Sequence, residues 1–183
     1  MKLNRAVLAG MAWMAVTALF FVNGCTSTST RADLRVVSVN GNATFYSDLL
    51  NEVDTSKVYI PIDQVNVTFT NTPHDGSNPV NAGTPFSDIV VDRYKVTYDN
   101  SVYSPIEGGM NVVVSSGSTA DAAITISNPS EKGALLGTLT TTVTSTARID
   151  FSGYVRTTGN FGDRVYATAY LTVQVDNFGD VKP

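Results

Sequence analysis

In Val65-Asn66-Val67-Thr68-Phe69 every second residue is apolar and the residues between are polar, and the same two-residue period returns along most of the chain. A period of two sends alternate side chains to opposite faces, which suits a strand with one buried and one wet face and does not fit a helical stripe. Segments of this kind cover 34–39, 58–62, 65–69, 89–98, 110–114, 121–126, 139–144, 147–156 and 165–175, separated by Gly, Asn, Asp and Pro. Val and Thr recur in them, and β-branched side chains pack well on a pleated surface. Eight or nine strands in about 150 residues is the count of a β-sandwich. The chain is expected to be all-β and to form one domain around one core.

Two stretches break the pattern. Over 45–53, Leu49, Leu50 and Val53 stand at helical spacing with Asp48 and Glu52 four apart, so a short helix or turn is expected there. A further turn of helix is expected over 129–136, weakened by Gly133 and Gly137.

The last two strands permit a statement about faces. Ile149, Phe151, Gly153 and Val155 in one, and Val165, Ala167, Ala169, Leu171, Val173 and Val175 in the other, are all odd-numbered. They share a face only if odd positions oppose odd positions, because a slip of one residue turns every side chain over. Opposing Val155 to Ala167 and Phe151 to Leu171 meets that condition and leaves 159–163 as the connecting loop. The other face then carries Tyr154, Arg156, Tyr166, Thr168 and Tyr170. Of these, Tyr154, Arg156, Tyr166 and Tyr170 are the candidate contacts for a carbohydrate or other small ligand.

Charge and cysteine content exclude several roles. With 12 basic residues against 16 acidic ones and a net charge of −4, the chain lacks the basic footprint of a nucleic-acid binder. One Cys and one His cannot form an internal disulfide or assemble a Cys/His zinc set. The single Cys stands where it is most informative. Lys2 and Arg5 precede a charge-free apolar run over 6–22, the form of a secretory signal. The run ends in Val22-Asn23-Gly24-Cys25, which resembles the lipobox of bacterial lipoproteins, with Asn23 where that family usually has Ala, Ser or Thr.

The resemblance implies that Cys25 is lipidated on sulfur, that the chain is cut before it, and that the new amino terminus is acylated. Thr26, in place of the Asp that usually marks inner-membrane retention, implies an outer-membrane address in the bacterial cell envelope. Two or three acyl chains anchor stably where one binds only reversibly. The expected division is 1–24 signal peptide, 25–33 lipidated Cys and polar linker, and 34–183 β-sandwich domain. Without 1–24 the chain keeps ten basic residues against 16 acidic ones, loses Trp13, and retains Met110 alone of its methionines.

Arg93-Tyr94-Lys95-Val96-Thr97-Tyr98, the segment 131–136, and 147–163 leading to Val175-Asp176-Asn177-Phe178-Gly179-Asp180 together resemble a group of uncharacterised bacterial lipoproteins with an immunoglobulin-like C-terminal domain. The likeness spans 88–183 and implies an immunoglobulin-like antiparallel β-sandwich of about eight strands. It implies no activity.

Residues that could carry chemistry are few. A Ser-His-Asp set would have to use His74, which sits between Pro73 and Asp75-Gly76 in a sequence that reads as a turn. Ser115-Ser116-Gly117-Ser118 reads as a hairpin turn and not as a nucleophile elbow. The carboxylates are scattered over turns and strand ends, with no spacing that singles out a pair for glycoside hydrolysis. Asn-Phe-Gly-Asp occurs at 160–163 and 177–180, so Asp163, Asp176 and Asp180 are the candidates for calcium, but they lie at the two ends of one strand. The loop over 71–87, stiffened by Pro73, Pro79 and Pro85, is long enough to carry recognition. The expectation is a non-enzymatic module without a cofactor, meeting the membrane through Cys25 and an envelope protein through its sandwich.

Overall fold

The computed structural model describes residues 32–52, 56–74, 87–156 and 161–178. Residues 1–24, expected as a signal peptide, Cys25, Asp180 and most of the 71–87 stretch expected as a loop lie outside them, while residues 71–73 of that stretch belong to β3. The strands are β1 (Ala32–Val39), β2 (Phe45–Asp48), β3 (Gln64–Pro73), β4 (Ile89–Tyr98), β5 (Ile106–Val114), β6 (Thr119–Thr125), β7 (Val143–Arg156) and β8 (Phe161–Asp176). Among the described residues a single short α-helix, α1 (Pro129–Leu135), stands between β6 and β7, and a 3-10 turn covers Asn40–Asn42. The fold is all-β in two sheets, a three-stranded one in the order β1-β3-β6 and a five-stranded one in the order β2-β8-β7-β4-β5. The larger sheet curls as a half-barrel, β1 lying against β8 and β5 against β6.

Alternation builds the core. Val65, Val67 and Phe69 point inward from β3, and Ile149, Phe151 and Val155 point inward from β7. Phe69 and Phe151 meet edge to face between the sheets at 4.9 Å. Burying each ring contributes up to about 3 kcal/mol, and the pair geometry adds about 1 kcal/mol.

The last hairpin keeps the expected faces but not the expected register. Phe151 opposes Ala167 and Leu171 opposes Ala147, so β8 is displaced by four residues from the alignment drawn above. A shift by an even number leaves every side chain on its own face, which is why alternation alone cannot detect it. β7 ends at Arg156 and β8 begins at Phe161, and residues 157–160 lie outside the described set.

Four other expectations change. No strand forms over 139–142, and Val143 instead opens β7. The 45–53 stretch opens with a strand, β2, which runs parallel to the end of β8 (Phe45 opposite Val173), so the fold is not wholly antiparallel. The half-buried Phe45 and buried Ser47 and Leu49 follow a period of two, disguised in the sequence because the middle member is polar. The 58–62 segment forms only a single bridge, Tyr59 with Asn51, and leaves Val58, Tyr59 and Ile62 exposed. β1 begins at Ala32, so Ala32 and Asp33, expected in the linker, lie in a strand.

Ser47 is polar because it belongs to a buried network at one end of the β-fold. Lys132 of α1 is fully buried (0% exposed), and its Nζ lies 2.6 Å from Oδ1 of Asp63, itself 5% exposed. Lys132 also donates to the Asp48 carbonyl at 2.8 Å. Oδ2 of Asp63 accepts from Ser47 and Ser127, and Ser47 is in turn bonded to the Tyr103 hydroxyl at 2.7 Å. Tyr103 meets Tyr98 edge to face, and the Tyr98 hydroxyl donates to the Ile126 carbonyl at 2.6 Å. Helix α1, expected as one turn of helix, starts where Asn128 caps Ser130 and Pro129 takes the first position. Its function in the fold is to deliver Lys132 to Asp63.

Candidate functional site

The outer face of the five-stranded sheet carries a groove of about 540 Å³, within the range of roughly 300–1,000 Å³ usual for ligand sites. Strand register explains its position. Gly109 of β5 opposes Arg93 of β4, Arg93 opposes Ser152 of β7, and Ser152 opposes Tyr166 of β8, so the four form one row across four strands. The adjacent row is Glu107, Lys95, Asp150 and Thr168.

Arg93 reaches this face through a β-bulge. The register of β4 shifts between Val91 and Arg93 against both neighbours. As a result Ile89 and Val91 point inward before the shift, while Tyr94, Val96 and Tyr98 take the inner side after it. Asp92 and Arg93 both emerge on the outer face: Asp92 holds Arg164 at 2.6 Å and accepts from Ser152 at 3.3 Å, and Arg93 lines the groove. Bulges redirect side chains in this way. Two glycines accommodate the geometry. A Cβ on Gly153 would stand 2.5 Å from the Val90 carbonyl oxygen, against the bulged backbone. A Cβ on Gly108 would stand 2.3 Å from the Tyr94 ring, whose hydroxyl accepts from the Thr125 amide of the opposite sheet at 3.2 Å.

The charges of this face are mostly neutralised in place. Lys95 pairs with Glu107 at 2.7 Å, Arg148 with Asp150 at 3.0 Å and Arg164 with Asp92. The hydrogen bond and charge of Lys95 hold the Glu107 carboxyl below its ordinary value, with Arg93 adding to the same field, and Glu107 in turn raises Lys95. Asp150 also accepts from Thr168 at 2.7 Å. Among the described residues, Arg93 has no acidic side chain within 4.0 Å. The groove therefore presents a guanidinium that forms no ion pair, beside the Glu107 carboxylate whose ionised form it favours from further away.

The four residues expected to bind a ligand do share the outer face but do not converge. Tyr166 is 71% exposed and lines the groove. Tyr170 lies opposite Arg148, four residues further along β8 and about 13 Å away. Tyr154 opposes Arg164 and packs edge-on against Phe161 at 4.7 Å, and Arg156 stands at that same end, 3.9 Å from Asp88. Arg93, Gly109 and Ser152 were missed. Their signal was the change of apolar parity between Ile89-Val90-Val91 and Tyr94-Lys95-Val96, which marks a bulge, together with Gly108-Gly109 inside a strand.

The other candidates lie apart. His74 Nε2 is 2.9 Å from Asp33 Oδ2 at the end of the three-stranded sheet, both side chains 44% exposed. Asp163 and Asp176 are separated by most of β8, about 40 Å, and Asp176 accepts from Thr142. Among the described residues no three His, Cys, Asp or Glu side chains cluster to hold a metal ion. Gly117 sits in a turn, with φ of 68°, that carries the chain from one sheet to the other and does not close a hairpin within one sheet.

No family model matches the chain, and no curated protein matches it. Among solved structures, it is similar to the solution structure of a protein described as late embryogenesis abundant (LEA), with a TM-score of 0.45 and 10% identity over 93% of this chain and 86% of that one.

Proposed function

We propose that the chain is an exported lipoprotein whose immunoglobulin-like β-sandwich is tethered to the outer membrane of a bacterial cell envelope and acts as a non-enzymatic structural or protein-binding module. The observation that carries this reading is the position of Cys25: the only cysteine closes the charge-free apolar run and is followed by a polar spacer. The first described strand, β1, begins at Ala32, opposite Pro73. From Cys25 to Ala32 the chain spans at most about 25 Å, which keeps the domain close to the bilayer. Fractionation of cells expressing the chain tests the tether. Wild type should sediment with membranes and Cys25→Ser should be released or accumulate as uncut precursor; identical distribution of the two contradicts the reading.

A second reading, recognition of a carbohydrate or small ligand by the outer face of the five-stranded sheet, is favoured by the groove around Arg93 and Tyr166. Its discriminating feature is location: ligand-induced changes should centre on the row from Gly109 to Tyr166 and not on the sandwich ends.

A further inference from the structure

We infer that the outer-face groove is a binding site for a sugar bearing a carboxylate, a uronic acid residue, with Arg93 holding the carboxylate and Tyr166 stacking on the ring. This inference rests on the second reading above and assigns its ligand class. Arg93 and Tyr166 occupy one row two strands apart, about 10 Å between backbones, with Ser152 between them. That separation accommodates a sugar ring lying across β7, its acid group toward β4.

Each partner supplies a different part of the recognition. The guanidinium of Arg93 is a planar fork suited to two parallel bonds to a carboxylate, and it faces no competing acid within 4.0 Å among the described residues. Gly109, its neighbour on β5, has nothing within 4 Å of where a Cβ would stand, so the space beside the guanidinium is open. Tyr166, 71% exposed on a strand whose inner face is packed, offers a ring face to the C–H side of a sugar. Ser152 Oγ donates to Asp92 and so retains lone pairs that accept from a hydroxyl. Asp150, in the adjacent row, adds a carboxylate acceptor for a second hydroxyl. A neutral sugar would leave the guanidinium unanswered, and a simple anion would leave the ring unused.

Amide chemical-shift titration of the full chain in detergent tests this with three probes: methyl β-glucuronide, methyl β-glucoside and acetate. The glucuronide should shift the amides of Gly109, Arg93, Ser152 and Tyr166 and bind roughly tenfold more tightly than either other probe. Arg93→Gln should reduce glucuronide affinity to that of the glucoside, and Tyr166→Ala should weaken both sugars; both residues are exposed, so the unliganded spectra should otherwise be retained. Equal binding of glucuronide and glucoside in this row, unchanged by Arg93→Gln, overturns the carboxylate assignment and leaves sugar recognition standing. Acetate matching the glucuronide overturns the role of Tyr166. Shifts elsewhere, or none with any probe, overturn the outer-face reading itself.

Discussion

Replacing Lys132 by Met should destabilise the sandwich far more than removing any exposed charge, because it leaves the Asp63 carboxylate buried with only hydroxyl donors. In the folded chain Asp63 is 5% exposed and takes one ammonium and two hydroxyls, from Lys132, Ser47 and Ser127. Removing one partner of a buried ion pair costs about 3–5 kcal/mol, since the survivor keeps its desolvation penalty without the compensating charge. Against a domain stability of about 5–15 kcal/mol the variant still folds, but marginally. With an unfolding slope of about 2 kcal/mol per molar urea, the midpoint should fall by roughly 2 M. Asp63→Asn should cost a similar amount by stranding the ammonium. The double variant keeps an acceptor for Ser47 and Ser127 and buries no charge, so it should lie within about 2 kcal/mol of wild type and show strong coupling in the cycle. Lys95→Met serves as the exposed control, its pair being 50% and 69% exposed, and should cost less than about 1 kcal/mol. Urea unfolding followed by far-ultraviolet circular dichroism measures all four. Single variants costing under about 1 kcal/mol, or strict additivity in the double, would refute the claim that this pair locks α1 to the sandwich.

Two further perturbations bear on the sheet and its end. Gly153→Ala drives a methyl against the Val90 carbonyl and should lower stability by about 1–3 kcal/mol in thermal unfolding, whereas Gly109→Ala, with open space at its Cβ, should be tolerated; equal effects would contradict the account of the bulge. Burial pushes the phenols of Tyr98 and Tyr103 above their ordinary value of 10.0, so the folded chain keeps protons that the unfolded chain releases. Stability is then complete below about pH 10 and falls as pH rises further, by about 1.4 kcal/mol per pH unit for each phenol. Tyr98→Phe should cost about 1 kcal/mol at neutral pH through the lost bond to Ile126 and should make the alkaline decline shallower; an unchanged slope measured by urea unfolding above pH 10 would count against it.

The sequence made the strands legible wherever the buried face was apolar. Val65, Val67 and Phe69 announced β3, and the odd-numbered apolar set of the last hairpin fixed the faces of β7 and β8. Register was illegible there because an even shift preserves every face. β2 was hidden by Ser47, whose buried hydroxyl answers Asp63 and not the lipid-like packing that periodicity detects. Lys132 and Asp63 were equally hidden, since a charged residue reads as solvated until a partner 69 positions away is brought to it. Alternation alone places Tyr166 on the outer face, whereas the placing of Arg93 there depends on a bulge that reverses the parity of β4. A surface built from cross-strand rows requires register, and register is the level at which the reading from sequence failed.

If Cys25 divides the chain into an address and a tethered domain, as proposed, the mature protein begins at Cys25 and carries lipid there. Intact-mass spectrometry of the protein purified from bacterial membranes tests it most directly. The account predicts a chain beginning at Cys25 whose mass exceeds that of residues 25–183 by two or three acyl chains on a glyceryl-modified cysteine. An unmodified chain cut at any other residue, or a full-length chain of 183 residues retained by its apolar run, would contradict it.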